Sequence, residues 1–457
     1  MKTILFFFLT LSIAFAQPKP AYRFTTTDNA FLDSLEHDTF RYFWDTTNPE
    51  NGLIPDRAPT NSFASIAAVG FGLTSYLVGI ERGYITRAQA AERTLQTLRF
   101  FAKAPQSDKA TGVAGYKGFF YHFLDMKTGE RFKQVELSTI DTALLLGGIL
   151  SSQTYFDKST PVETEIRQLA EQIYERVDWT WIQARKPYVS MGWHPEKGFI
   201  PADWKGYNEG MLLYILALGS PTHPVGEDVW PAWTKSYDWA TFQGQPHVNF
   251  DPLFGHQYSH VWIDFRGIKD KYMQSKGIDY AENSRRATYA NRAYCVENPA
   301  KWQDYGPTIW GLTACDGPKD TTVASRNFFS YRARGAAIQQ LVDDGTIAPT
   351  AAGGSMAFAP EICLPALKAM KMKYGRKLYG NYGFRDAFNP TYRYPSAFAN
   401  GSTTNGWFDI DYLGIDQGPI LLMAENARTN FVWNLMKRNP HIQRGLKRAG
   451  FTGGWLK

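Results

Sequence analysis

The sequence predicts an all-α fold in which six helical hairpins close into an (α/α)6 toroid with small β-hairpins in its loops; an open solenoid is the alternative. Three observations predict it. Segments apolar on every side alternate with segments apolar along one stripe, as inner and outer helices of a double ring would. The alternation recurs at intervals of about 50 to 75 residues, roughly six times. A weak repeat places Ile66-Ala67-Ala68-Val69-Gly70-Phe71-Gly72-Leu73 and Ile140-Asp141-Thr142-Ala143-Leu144-Leu145-Leu146-Gly147 at like positions in their hairpins.

The elements follow in order. Residues 28–44 read as an amphipathic helix, with Phe31, Leu35, Phe40 and Phe43 on one stripe. Residues 62–82 are apolar all round and 86–103 amphipathic. Residues 138–156 are buried in character, and 161–179 are amphipathic with Pro161 suited to a first helical turn. The same pair recurs as 207–219 and 227–240, then as 257–265 and 269–290. Residues 330–343 are expected to precede an outer helix at 359–374, and 418–436 one at 439–449. β-Hairpins are expected within 116–134, turning at Lys127-Thr128-Gly129, and near 193–199. No Ser/Gly/Pro linker divides the chain, so 17–457 is expected to be a single domain.

The first residues carry a separate signal. Lys2 is followed by an apolar run from Ile4 to Phe15, too short for a comfortable bilayer span. Ala14-Phe15-Ala16 offers small residues where a signal peptidase reads, so 1–16 is expected to be a cleaved leader with Gln17 as the new N-terminus. No cysteine follows to form a lipobox, so the mature chain is expected to be periplasmic or secreted, monomeric and without a membrane anchor.

The net charge of +6 is well mixed, and no basic run interleaved with aromatics points to nucleic acid. The 14 Trp, 25 Tyr and 31 Phe include many in polar, glycine-rich stretches, where stacking on sugar faces is the expected use. Cys295 and Cys315 flank a loop and can pair in an oxidising compartment, whereas Cys363 reads as a buried thiol. No CxxC, HExxH or EF-hand spacing gives grounds for a metal, and no cofactor is expected.

In such a ring, the polar junctions ahead of the inner helices converge on one face. Those junctions bring together Glu136, Asp141, Glu209, Asp409, Asp411 and Asp416. Glycosidic cleavage needs one protonated carboxyl to feed the leaving oxygen and one ionised carboxylate to activate water or attack. Asp141 and Asp416 also stand at helix starts, where a carboxylate caps free N–H groups. Glu209, between Asn208 and Gly210 at the head of an apolar run, is harder to read as a cap or surface charge. His256 and His260 lie four apart, suited to substrate hydrogen bonding or to core packing.

At these junctions the chain resembles a known family. Ser-Thr-Ile-Asp-Thr-Ala-Leu (138–144), Tyr-Asn-Glu-Gly (207–210), Gly-Gly-Ser-Met-Ala-Phe-Ala-Pro-Glu (353–361) and Leu-Gly-Ile-Asp-Gln-Gly-Pro (413–419) are similar to stations of the bacterial glycoamylase-like domain, which includes the β-1,2-glucanases of glycoside hydrolase family 144. The resemblance implies an (α/α)6 toroid and inverting hydrolysis of β-1,2-glucan or its oligosaccharides, by internal cuts or by release of sophorose. It implies Glu209 as general acid and a base from Asp409, Asp411 or Asp416, with Glu136 and Asp141 in a further acidic cluster. Trp193, Trp204 and Trp407 are the stacking candidates. Tyr207, Asn208, His256, His260 and Glu361 are the other substrate-binding candidates. Rival readings are a non-catalytic glycan-binding protein, a polysaccharide lyase, and a glycosidase for another glucan linkage.

Overall fold

The computed structural model describes residues 22–456; the expected leader lies outside them. The chain alternates between an outer and an inner ring. Helix α1 (Thr26–Thr46) is outer, α2 (Ile66–Glu81) inner and α3 (Arg87–Lys103) outer. Next come inner α4 (Thr139–Tyr155), outer α5 (Pro161–Glu175), inner α6 (Met211–Gly219) and outer α7 (Val229–Lys235). The short inner α8 (Tyr258–Trp262) is followed by α9 (Lys271–Lys276) and outer α10 (Tyr280–Glu297). Inner α11 (Pro349–Gly353) precedes outer α12 (Pro360–Tyr374), and inner α13 (Gly414–Thr429) precedes α14 (Phe431–Met436) and outer α15 (Pro440–Arg448).

Burial separates the two rings as the sequence pattern requires. Every residue of α6 is buried, whereas α5 buries only Glu163, Ile166, Ala170, Ile173 and Tyr174. The ring closes. Helix α2 packs on both α4 and α13, α4 on α6, α6 on α8, and α11 on α13. Gln257, just ahead of α8, donates from Nε2 to the Ala351 carbonyl of α11 at 2.9 Å and to Ser355 Oγ at 2.8 Å. The contact of α13 with α2 decides for a toroid against an open solenoid. The α2–α4 crossing is close because it is made of glycine. A methyl on Gly70 would lie 2.2 Å from the Leu144 carbonyl oxygen, and one on Gly148 would lie 2.1 Å from that of Gly70.

The β structure serves the mouth of the ring. A five-stranded antiparallel sheet runs Gly115–Tyr116, Phe119–Tyr121, Leu137–Ser138, Gly192–His194 and Gly198–Phe199 in spatial order. The hairpin expected near 193–199 is present; within 116–134 the paired strands turn earlier, at Lys117-Gly118, while the turn at Lys127-Thr128-Gly129 is flanked by a single bridge of Leu124 with Arg131 and closed by Gly129 N donating to Asp125 O at 2.9 Å.

Three further expectations are corrected. Residues 330–343 form no inner helix; Arg332–Ala333, Gly335–Ala336 and Leu341–Val342 are short strands instead. Gly335 sits against the Asp251 backbone, where an added methyl would meet carbonyl carbon at 2.2 Å, so the chain runs extended there. The inner position falls to α11, five residues long. The helix expected over 227–240 stops at Lys235, and Trp239–Phe242 pairs with Gln245–Val248. Cys295 and Cys315 are separate buried thiols, as is Cys363.

Candidate active site

Three inner helices start in the same way, and that repetition builds the site. Strands Ala64–Ser65, Leu137–Ser138 and Tyr412–Leu413 run directly into α2, α4 and α13. Ser65 and Ser138 cap their helices by accepting from Ala68 N and Asp141 N. These junctions, with the loop before α6, surround a cavity of about 470 Å³. Its lining includes Asp56, Arg57, His122, Asp141 and Glu209, set among Phe63, Phe123, Phe254, Tyr258, Tyr331 and Ile415.

Glu209 is held by the turn that opens α6. Its carbonyl accepts from Ser259 Oγ at 2.8 Å, and Asn208 Oδ1 accepts from Gly210 N at 2.9 Å. One oxygen of its carboxyl lacks such support. Oε2 is enclosed and has no hydrogen-bond partner. Burial, then the nearby charge of Asp141, push its pKa up to about 7, outweighing its own backbone contact. These surroundings favour the protonated form of Glu209 up to near-neutral pH.

Asp141 lies in the first turn of α4, with its backbone N–H bonded to Ser138 Oγ at 3.2 Å and Oδ2 accepting from the Ser138 hydroxyl. Across from Oδ2 stands His122, whose Nε2 is 3.5 Å away and whose Nδ1 is 2.8 Å from Glu136 Oε1. Desolvation alone would lower the His122 pKa, but Asp141 and Glu136 outweigh it and raise it to about 9. Burial raises Asp141, while His122 and Ser138 pull it down. Glu136 is lowered, since His122 outweighs its burial. The surroundings of the ring thus favour imidazolium at neutral pH, placed between Asp141 and Glu136.

A second carboxyl group adjoins the cavity behind Arg57. The guanidinium lies 2.5 Å from Asp316, 3.2 Å from Asp56 and 3.9 Å from Asp411. Asp386 Oδ2 accepts from Asp316 N at 2.7 Å. Asp316, Asp386 and Asp409 each offer an oxygen within 4.8 Å of the others, a spacing a hard cation accepts. Burial raises Asp386 to about 6 and drives Asp409 and Asp416 well above the carboxylate range. Burial and the crowding of carboxyls around Asp386 both favour protonated forms in this group, whose nearest cation is Arg57.

The chain compares closely with known proteins. The family model described as "Glycoamylase: Putative glucoamylase" matches residues 201–440, more than half of the chain. This chain belongs to the glycoamylase family. A solved structure from Bacteroides uniformis with the same description is 34% identical, with a TM-score of 0.81 over 95% of this chain and 100% of that one. An endo-β-1,2-glucanase from Chitinophaga pinensis, solved with sophorotriose and glucose, is 31% identical, with a TM-score of 0.80 over 94% of this chain and 100% of its own. An exo β-1,2-glucooligosaccharide sophorohydrolase (non-reducing end) from Parabacteroides distasonis is 29% identical over 467 residues. That match covers 95% of this chain but 59% of the relative, so the chain spans about three fifths of its length.

Within this glycoamylase-family fold, the residues singled out from the sequence divide by place. Glu209 and Asp141 share the cavity. Glu136 lies beyond His122, bound to its far nitrogen. Asp409, Asp411 and Asp416 are buried behind the wall, where Leu413 and Ile415 of the same segment face the cavity. His256 and His260 are buried in the core, their Nε2 atoms 3.2 Å from Phe250 O and 3.1 Å from Ser284 Oγ. The substrate contact expected of them gives way to packing, and burial lowers both pKa values.

Trp407 is wholly buried opposite Asn389, and Trp204 is spent on Thr139, donating Nε1–H to Oγ1 at 2.9 Å. Tyr207 is buried between His256 and Tyr280, and Asn208 caps the turn before α6. Trp193 packs at a tilt against Tyr116 and edge-on against Trp181 at the sheet, away from the cavity lining. Glu361 is on the outer helix α12, bonded to Tyr289 and Arg285. The aromatic wall is built instead by Phe63, Phe123, Phe254, Tyr258 and Tyr331.

Sequence reasoning missed His122, Asp56, Arg57, Asp316 and Asp386. Asp56 and Arg57 precede the first inner helix, so the junction rule applied there would have found them. His122 carries no motif; only the strand pairing that sets Tyr121 beside Leu137 brings it to Asp141.

Proposed function

We propose that the protein is a glycoside hydrolase that cleaves β-1,2-linked glucan or its oligosaccharides with inversion. One observation carries the reading: a proton-holding carboxyl, Glu209, shares a small aromatic cavity with an ionisable one, Asp141. Glu209 donates a proton to the leaving oxygen. Asp141 activates the water, since its Oδ2 is taken by Ser138 and His122 while it faces the same cavity. The base expected from Asp409, Asp411 or Asp416 moves to Asp141 in this proposal because those three are behind the wall. The aromatic wall supplies the flat apolar faces on which sugar rings stack. The linkage comes from the endo-β-1,2-glucanase and sophorohydrolase to which the chain is similar.

Purified protein is expected to release glucose oligomers from linear β-1,2-glucan. A ladder of products marks internal cleavage and sophorose alone marks cleavage from one end; no product from this glucan overturns the assignment. Activity requires Glu209 protonated and Asp141 ionised. Thus kcat/KM should fall as pH rises through about 7, where Glu209 loses its proton. It should fall on the acid side above the usual carboxylate range, because burial raises Asp141.

We further propose that residues 17–457 act as one exported unit, released by cleavage after Ala16 into the periplasm or medium. Sequencing the mature N-terminus is expected to start at Gln17, and an intact Met1 on the protein isolated from its producing cells would contradict this. Among the described residues no helix is long and apolar enough to cross a membrane.

A further inference from the structure

His122 does work that neither the acid nor the base can do for itself. It stands one residue past the strand Phe119–Tyr121, whose partner strand Leu137–Ser138 leads into α4. Its backbone is tied on both sides: N donates to Glu136 O at 3.0 Å, and O accepts from Ile66 N of α2 at 3.4 Å. Its ring lies on Phe123 with centroids 3.8 Å apart and planes 23° apart. This fixed ring presents Nδ1 to Glu136 and Nε2 to Asp141. The other charged groups around this assembly include Asp56 from the loop before α2, Glu209 and Arg57 across the cavity, and His194 and Arg131 on the Glu136 side, 3.4 Å from each other.

We propose that His122 is a positioning cation, clamped by Glu136, which keeps Asp141 ionised and turned so that its free oxygen faces the cavity. The inference rests on Asp141 and Glu209 being the working carboxyls. Burial raises the Asp141 pKa and the His122 charge is the largest pull against it, whereas Asp409 and Asp416, buried beside Asp386 and Asp316, are driven well above the carboxylate range. Glu136 then acts through the imidazole: on Nδ1 it fixes the ring and favours its charged form. A neutral ring at 122 would remove the largest pull holding the Asp141 pKa down and narrow the pH range in which Asp141 is ionised while Glu209 keeps its proton.

The experiment has two readouts. In the full chain labelled at histidine, the Cε1–H resonance of His122 is followed by NMR against pH, with His122→Gln used for assignment. The wild-type ring should stay protonated beyond pH 8, and Glu136→Gln should bring its midpoint down by at least one pH unit. A midpoint at or below about 6.5, the ordinary value, or one unmoved by Glu136→Gln, overturns the clamp. In kinetics, His122→Gln should lower kcat/KM at the optimum about 100-fold. It should move the acid limb up by at least one pH unit and leave KM within about threefold. Loss of activity with an unmoved acid limb overturns the positioning role. The NMR titration needs no substrate, so it stands or falls apart from the reading of Asp141. Unimpaired activity of Asp141→Asn would remove that reading while leaving the clamp measurable.

Discussion

Replacing Glu209 by Gln is expected to lower kcat/KM on β-1,2-glucooligosaccharides by about 10³-fold, within the range general acid catalysis supplies. Gln keeps the shape but cannot give a proton to the leaving oxygen. The loss should therefore fall on kcat, with KM little changed. It should shrink on a substrate whose leaving group needs no proton, such as an aryl glycoside with an acidic phenol. Asp141→Asn should behave oppositely: equally poor on both substrates, but rescued by azide, with the glycosyl azide formed in inverted configuration. Azide rescue of Asp409→Asn and not of Asp141→Asn would transfer the base to the group behind Arg57.

The same Glu209 variant should be more stable than wild type at pH 8. Folding raises the Glu209 pKa from its ordinary 4.5 to about 7. The wild-type fold accepts the neutral acid and suffers no penalty well below pH 4.5. The penalty grows between 4.5 and 7 and is complete above, where it reaches at most about 3 kcal/mol, at 1.36 kcal/mol per pH unit, reduced by the partial exposure of the residue. Gln removes it. A melting temperature a few degrees above wild type at pH 8 and equal to it at pH 4 is expected from paired thermal unfolding curves.

The largest stability loss is expected at Arg334, which is wholly buried with Asp344. Its Nε and Nη2 lie 2.7 and 2.8 Å from the two Asp344 oxygens, and Nη1 and Nη2 also donate to the carbonyls of Cys315 and Phe329. Arg334→Met would leave the Asp344 charge buried without its cation, at a cost of about 3–5 kcal/mol. Denaturant unfolding should show it. Arg334→Met with Asp344→Asn should lose less, because no bare charge remains and the one oxygen of Asn can still accept from either Phe329 N or Thr346 N. Tyr331 of the cavity wall belongs to this segment, so activity should fall with stability in the single variant.

Much of the ring was legible because an inner helix must be apolar on every side. Residues 66–81, 139–155 and 211–219 meet that condition in composition alone, and the structure buries them. The inner positions of α8 and α11 are only five residues each, too short for a periodic signal, and the 330–343 expectation failed for that reason. Aromatic residues misled for a different one. Trp204, Trp407 and Tyr207 sit in polar, glycine-rich stretches, yet each faces the core side of its loop, and local composition does not say which side of a wall a ring is on.

By itself, then, the sequence determined that helices alternate in character, that carboxylates gather ahead of the inner ones, and that Glu209 is among them. These are properties of short segments, set by burial and by capping. Tertiary structure alone decided that the ring closes through α2 and α13, and that Glu209 is left without a hydrogen-bond partner for Oε2. It also decided that His122 stands between Glu136 and Asp141. The reason is electrostatic: a carboxyl's proton is held or released according to the charges and solvent around it, and those come from strands and helices far apart in the chain.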